Sequence, residues 1–277
     1  MINWRRWTDR SHRSDPSSSG AASSAAAFLD STAGIVAIIA AAIVVRLLLA
    51  PRFGFYGDLR YFRGWAGRLQ DTGLRHFYSS GVFVDYPPGY LYVLDVLGRI
   101  SRVPSNTLLK IPGLLGDLGL AWSCSLLASR LTPESVRRRI PVRAFVLLAV
   151  LFNPAVLGVG AFWGQVESIP SAFVVTTLLL LLTGRRAVQR DLGAMCLFAV
   201  AIAIKPQSGF LAPVLAYLLV RRYLIERPRG RRLEGLATLL GISLASGGLW
   251  AVSGLPFGLG PGALIRFYKH SAQAYPV

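Results

Sequence analysis

Residues Thr32–Ala50 read TAGIVAIIAAAIVVRLLLA, and the class of fold turns on them. At 1.5 Å per residue, a helix of this length reaches roughly 28 Å, close to the hydrocarbon thickness of a bilayer. Arg5, Arg6, Arg10 and Arg13 precede it, as in the basic head of a secretory signal. The apolar run is longer than an ordinary signal core, and no convincing cleavage site follows. It reads as a signal-anchor helix that stays in the membrane. Upstream, residues 1–31 are polar and end in a Ser/Ala-rich stretch, which predicts a flexible, basic, cytoplasmic N-terminus.

Six more apolar blocks follow, at 107–129, 144–161, 168–183, 191–204, 208–220 and 233–254. Together they predict an all-α polytopic membrane protein. It has about seven transmembrane helices over 32–254 and an outer tail over 255–277. The blocks 191–204 and 208–220 are short and separated by Lys205-Pro206, the pattern of broken helices that line cavities at membrane depth. Composition agrees. The 277 residues are 53% hydrophobic and 16% charged, with mean hydropathy +0.49, against about 25% charged in a soluble domain. That excludes a soluble enzyme, a disordered chain and a disulfide-stapled secreted module. Long runs also disfavour a membrane β-barrel, whose strands are short and alternating. Cys124 and Cys196 lie inside apolar runs with no metal spacing, and read as packing residues.

The net charge of +17 comes from 30 basic and 13 acidic residues, and only Lys110, Lys205 and Lys269 are lysines. In a soluble protein this excess would point to nucleic acid. Here the arginines sit between apolar runs and set topology, so no nucleic-acid partner is expected. With the N-terminus in the cytoplasm, the inner segments 1–31, 130–143, 184–190 and 221–232 hold 18 Arg in 64 residues. The outer segment 51–106 holds 7 in 56. Residues 89–103, read as a span, would reverse everything after them. Their apolar part is short and they carry Asp95, Arg99 and Arg102, so an interfacial or half-buried helix is preferred.

Within the outer segment, Leu59, Phe62, Trp65, Ala66 and Leu69 recur at helical spacing, with Arg60, Arg63 and Gln70 elsewhere on the wheel. This predicts an amphipathic surface helix ending near Gly73. A second helix is expected from Pro88, with Tyr90, Leu91, Leu94 and Leu97 on one side.

Under this topology the unusual polar residues converge on the outer face, where polar groups near hydrocarbon are costly and so mark function. Asp58 opens the first surface helix, as an N-cap, a base, or both. Asp85 precedes Tyr86-Pro87-Pro88-Gly89, as a turn acid or a second carboxylate for an acceptor hydroxyl or a metal. Gln165 and Glu167 sit in a tight turn between spans, as a polar cap or part of a site. Lys205 ends an apolar run, either snorkelling to the interface or donating to a phosphate oxygen. Gln207 follows it, and Arg266, Tyr268, Lys269 and His270 stand in the tail. Asp117, near the middle of a span, reads as paired with an Arg or as a packing hydrogen bond. Gly241, Ala245 and Gly248 read as helix packing. No Walker loop, GxGxxG, HExxH or GxSxG occurs, so nucleotide motors, dinucleotide enzymes and the common hydrolases lack support.

A longer pattern then emerges: Gly57-Asp58, Trp65-Ala66, Gly73, Phe77-Tyr78 and Asp85-Tyr86-Pro87-Pro88-Gly89, followed by Asn153-Pro154, Trp163-Gly164-Gln165 and Lys205-Pro206-Gln207. In this order it resembles the membrane-embedded GT-C glycosyltransferases, which use polyprenyl-phosphate sugars. It looks most like the bacterial mannosyltransferase-like members and is similar in layout to the dolichyl-phosphate-glucose glucosyltransferases. The resemblance covers about residues 32–277. It implies a hexosyltransferase of the plasma membrane with its site on the outer face. The donor would be a polyprenyl-phosphate hexose, mannose-like, and the acceptor lipid-linked or part of a cell-envelope glycan. Asp58 matches the family's catalytic base, in a single inverting displacement. Lys205 is the implied partner of the leaving phosphate, assisted by Arg266 or Lys269. Asp85, Tyr86, Gln165, Glu167 and Gln207 are implied to bind substrate, and the lipid tail to lie between spans. Family members usually have nine or more spans, so the resemblance also implies that the chain is truncated at its C-terminus.

Two other classes remain open. A transporter or lipid flippase would favour inverted repeats and mid-membrane charges, and only Asp117 fits. A non-catalytic assembly subunit would be indifferent to Asp58→Asn. A divalent cation, Mg or Mn, could bridge Asp58 and Asp85, on the strength of two carboxylates alone.

Overall fold

The computed structural model describes residues 28–52, 54–79, 83–184 and 187–274, and among these every regular element is helical. The expected flexible stretch through residue 27 lies outside the described residues. The helices are α1 Thr32–Leu49, α2 Tyr56–Thr72, α3 Pro88–Ile100, α4 Asn106–Leu131, α5 Val142–Leu151, α6 Pro154–Trp163, α7 Ser168–Thr183, α8 Val188–Ile204, α9 Pro206–Ile225, α10 Arg232–Val252 and α11 Pro261–Ala274. Local chemistry sets several starts. Ser31 Oγ accepts from Gly34 N at 3.1 Å, Ser105 Oγ from Leu108 N at 3.2 Å and Asn153 Oδ1 from Ala155 N at 2.8 Å, each satisfying a helix-end donor. Proline opens α3, α6 and α9, where its missing N–H costs nothing.

Four helical stretches among the described residues are long and apolar enough to cross a membrane: Thr32–Leu49, Asn106–Leu131, Pro206–Ile225 and Arg229–Phe257. A fifth is added if α5 and α6, bent by 43° at their break, form one span. The seven expected traverses also include α7 and α8. At 16 and 17 residues, these reach only about 24–26 Å as helix, short of a typical hydrocarbon core. Helix α3, with 13 residues, is shorter still, at about 20 Å.

Side by side the long helices neighbour one another in the order α1, α5, α4, α7, α8, α10, with α4 packed most extensively on α7. Two polar knots are sealed inside. Arg46 on α1 donates Nε to Asp117 Oδ2 on α4 at 2.9 Å and Nη2 to the Leu151 carbonyl at 2.9 Å. Ser168 donates to the other carboxylate oxygen. Arg46 and Asp117 are 1% and 0% exposed, so the Arg partner expected for Asp117 is present and closed from solvent. At the opposite end of the helices from α2 and α3, buried Asp191 accepts from Arg222 and, at 2.8 Å, from the Tyr223 hydroxyl. Both arrangements satisfy the charge that burial would otherwise leave exposed to a low dielectric.

The pair α2 and α3 caps one end of the bundle. The expected stripe Leu59, Phe62, Trp65, Ala66 and Leu69 is buried, against Tyr90, Leu91, Leu94 and Leu97 of α3. Each buried Leu or Phe of this set contributes about 1.5–3 kcal/mol. The start of α3 rests on the end of α8. A Cβ on Gly89 would lie 2.4 Å from the Ala203 carbonyl oxygen, so only glycine allows this approach. Helix α2 ends at Gly73, φ 69°, as expected.

One packing expectation is corrected. Gly241, Ala245 and Gly248 lie on an exposed face of α10, and nothing stands within 4 Å of a Cβ added at either glycine. The helix packs instead through Gly235, Ile242 and Ser246. Small residues permit a close neighbour, but none among the described residues lies on that face.

Candidate functional site

Where α2 and α3 meet the ends of α6, α8, α9 and α11, a cavity of about 770 Å³ opens. Asp58 lies in it. Helix α2 begins at Tyr56 with Phe55 as its N-cap residue, so Asp58 falls in the first turn and is not the cap. A carboxylate there still lies at the positive end of the helix dipole. Its Oδ2 accepts from Trp163 Nε1 at 2.7 Å and from Gln165 Nε2 at 2.5 Å. Gln165 Oε1 in turn accepts from the Tyr86 hydroxyl at 3.1 Å. A chain of directed hydrogen bonds thus runs from Tyr86 through Gln165 to Asp58, fixing the carboxylate's orientation.

Backbone geometry explains why Trp163 and Gln165 reach Asp58. The last turns of α6, Leu157–Trp163, are wound as a π-helix, and Gly164 turns the chain at φ 96°. A side chain at 164 would also meet Leu59 Cδ2 at 2.8 Å, so this turn requires glycine both for its dihedral and for its space. Phe55 N donates to the Trp163 carbonyl at 3.0 Å, and the two rings meet at a tilt of 50° with centroids 5.2 Å apart, tying the start of α2 to the end of α6.

Beneath this junction lies Lys110 of α4, 1% exposed. Its ammonium donates to the carbonyls of Ala50 at 2.9 Å, Ala161 at 3.0 Å and Phe162 at 3.1 Å. It therefore caps the C-terminal ends of α1 and α6 together, where helix dipoles favour a cation.

Tyr86 forms the cavity wall, ringed by Phe62, Trp65 and Tyr90 at centroid distances of 5.4, 5.7 and 5.5 Å. Burial, and then the nearby Glu167, Tyr90, Asp85 and Asp58, push its hydroxyl well above the ordinary tyrosine range. It stays a neutral donor. Tyr78 donates to the Tyr86 carbonyl at 2.9 Å and holds the loop before Pro87-Pro88. Asp85, half-buried, lines the same cavity.

Lys205 enters from the end of α8. Pro206 excludes helical geometry for the residue before it, and Lys205 is accordingly extended, at φ −143° and ψ 124°. Its side chain is 13% exposed and pairs with Glu167, itself half exposed. The ammonium sits 5.2 Å from the centre of the Tyr86 ring, within cation–π range.

Six of the nine sequence-derived site residues therefore line one cavity: Asp58, Asp85, Tyr86, Gln165, Lys205 and Gln207. Glu167 stands behind as the partner of Lys205. Arg266 and Lys269 are not brought into the cavity. Both are exposed on α11 and do not line the cavity, to which that helix contributes Tyr268 instead. Successive helical residues are turned by about 100°, so a helix that faces inward at 268 aims 266 and 269 elsewhere. Burial pushes the Tyr268 hydroxyl up to about 12. It donates to the Ile202 carbonyl at 2.9 Å and accepts from Trp250 at 3.2 Å. His270's side chain lies outside the described ones. Lys110 was not expected as a site residue, and Trp163 stood in the sequence pattern without a role of its own. The signal for Lys110, one lysine in an apolar run, is the same one that marks Lys205.

The donor set bears on the expected divalent cation. Magnesium or manganese takes about six oxygen ligands. Asp58 Oδ2 already accepts two N–H bonds, and no group of three or more His, Cys, Asp or Glu able to hold a metal gathers among the described residues. Asp58 and Asp85 alone are a poor fit to such an ion.

No protein-family model matches the chain, and neither a curated protein nor a solved structure matches it.

Proposed function

We propose that this chain is an integral-membrane glycosyltransferase that moves a hexose, mannose-like, from a polyprenyl-phosphate donor to a lipid-linked or cell-envelope acceptor, with inversion. The observation that carries the reading is the pairing inside one cavity of an oriented carboxylate, Asp58, with an ammonium, Lys205, at one end of an apolar helix bundle. The acceptor hydroxyl gives its proton to Asp58 as its oxygen bonds to the anomeric carbon. The bond from that carbon to the phosphate oxygen breaks, and its electron pair leaves with the lipid phosphate. Lys205 meets the charge that develops there, exchanging Glu167 for phosphate. Because Asp58 Oδ2 is engaged by Trp163 and Gln165, Oδ1 takes the proton. Asp85, Tyr86 and Gln207 line the space for sugar and acceptor.

In this reading the chain crosses the plasma membrane seven times with its N-terminus in the cytoplasm, α7 and α8 making short passes. Helices α2 and α3 lie at the outer interface, and the lipid tail runs down between helices. The Arg distribution supports that orientation.

The test is hexose transfer in membranes from a labelled polyprenyl-phosphate hexose, comparing wild type with Asp58→Asn at matched membrane levels. Product should form with wild type and fall by about 10²–10⁴-fold in the variant, the usual weight of a general base. Equal product from both removes Asp58 as the base. Uptake of the lipid or sugar into vesicles with no transfer product favours a transporter.

A further inference from the structure

A second concavity, of about 470 Å³, lies on the polar side of α2 and is separate from the Asp58 cavity. Arg60, Arg63, Arg68 and Arg102 line it, with Asp71 the one acid. Asp71 is already paired with Arg102, so the groove keeps a large positive excess. Gly64 and Gly67 occupy the helical positions between the arginines and leave its floor low. Nothing stands within 4 Å of a Cβ added at Gly64.

Two of the guanidinium groups are held in place from behind. Arg63 donates Nε to the Pro104 carbonyl at 3.0 Å and a terminal nitrogen to Asn106. Arg68 donates Nε to the Phe77 carbonyl at 3.0 Å and Nη2 to Ser79 at 2.7 Å. A guanidinium carries five N–H donors, so each keeps donors for another acceptor. Arg60, exposed, makes no hydrogen bond or ion pair with a described residue. Such pre-oriented forks match the planar, multi-oxygen geometry of phosphate.

Exposed apolar side chains lead to the groove along the chain. Val103 lines it and is 68% exposed, and Ile100 and Val96 of α3, 67% and 55% exposed, form a strip on the helix before it. Positions 96 and 100 are one helical turn apart and share a face. Because α3 is too short to span, this strip lies along the capped end of the bundle. A ligand that fits both parts has a phosphate head and a hydrocarbon body.

We propose that this groove binds the headgroup of an anionic phospholipid, its phosphate between Arg60, Arg63 and Arg102 and an acyl chain along Val103, Ile100 and Val96. The site holds the α2–α3 cap against the membrane surface. It does not rest on the transferase reading, because its readout is bound lipid.

The test uses the purified full chain in detergent, titrated with phosphatidylglycerol, with phosphatidylcholine and with inorganic phosphate, and read by native mass spectrometry. Arg60→Gln/Arg102→Gln is compared with Arg137→Gln/Arg139→Gln, which removes the same charge from exposed positions at the other end of the bundle. Phosphatidylglycerol should bind the wild type more tightly than phosphatidylcholine. The groove variant should weaken it at least about tenfold, with unchanged thermal stability, and the control variant should not. Equal binding of the two lipids, or equal loss in both variants, overturns the proposal. Inorganic phosphate that binds as tightly as the lipid overturns the lipid assignment.

Discussion

Lys110 and Lys205 are both single lysines in apolar runs, and the structure gives them opposite surroundings. The Lys110 ammonium is enclosed by three backbone carbonyls at the ends of two helices, with 1% of the residue exposed. The Lys205 ammonium faces a cavity, over an aromatic ring, and its partner Glu167 is open to solvent. A lysine whose partners are fixed backbone oxygens holds helices together. A lysine whose partner is a half-exposed side-chain carboxylate can exchange that partner for a ligand. The same division separates Asp117, sealed against Arg46 and Ser168, from Asp58, whose two donors leave one oxygen toward the cavity.

Exchanging readouts between the two lysines tests this most directly. Lys110→Met removes the donor shared by the carbonyls of Ala50, Ala161 and Phe162 at two helix ends, and should lower stability by about 3 kcal/mol and reduce the amount of folded chain recovered. Lys205→Met should change stability by about 1 kcal/mol, because Glu167 is half exposed and regains water, while transfer falls by about a hundredfold. Thermal unfolding in detergent and transfer rates, measured on the same preparations, check both. Equal destabilisation by the two would erase the distinction.

A smaller effect is expected at Gly164→Ala, which places a Cβ at φ 96° and against Leu59. It should cost about 1–2 kcal/mol, and shift activity as well because Gln165 follows directly. Trp163→Phe keeps the ring beside Phe55 and removes one donor to Asp58. Loss of one charge-assisted bond should lower kcat by about tenfold, with little change in the melting temperature. The smallest effect concerns pH. The Tyr86 hydroxyl is raised well above its ordinary value and so remains protonated throughout the working range. Tyr86→Phe should therefore leave the shape of the pH–rate profile between pH 6 and pH 9 unchanged, even where the rate falls. A basic limb that disappears in the variant would show that this hydroxyl ionises.

The helices α2 and α3 were legible in the sequence because their apolar residues recur at one helical period and their ends carry Gly73 and Pro88. The gathering of Asp58, Asp85, Gln165 and Lys205 followed from chain order alone, since alternating helices return the same loops to one end. Contacts that depend on rotation about a helix axis were not legible. Arg266 and Tyr268 differ by two positions, and only the neighbouring Trp250 and Ile202 determine which faces the cavity. The small-residue face of α10 misleads for the same reason, because residue size does not say whether a neighbour is present. The extra winding of α6 before Gly164 likewise leaves little trace in composition, yet it aims Trp163.

The Arg46–Asp117 pair also has a consequence in time. Its members are 71 residues apart, and the Leu151 carbonyl that completes the arginine's shell comes 105 residues after it. At a synthesis rate of about 5–20 residues per second, Arg46 emerges roughly 4–14 seconds before its carboxylate exists. During that interval the first helix holds an unmatched cation, and it has to stay near the growing chain until the next long helix arrives. The order in which the ribosome delivers the chain is thereby written into the bundle: the most deeply buried ion pair among the described residues is one the first helix must wait to make.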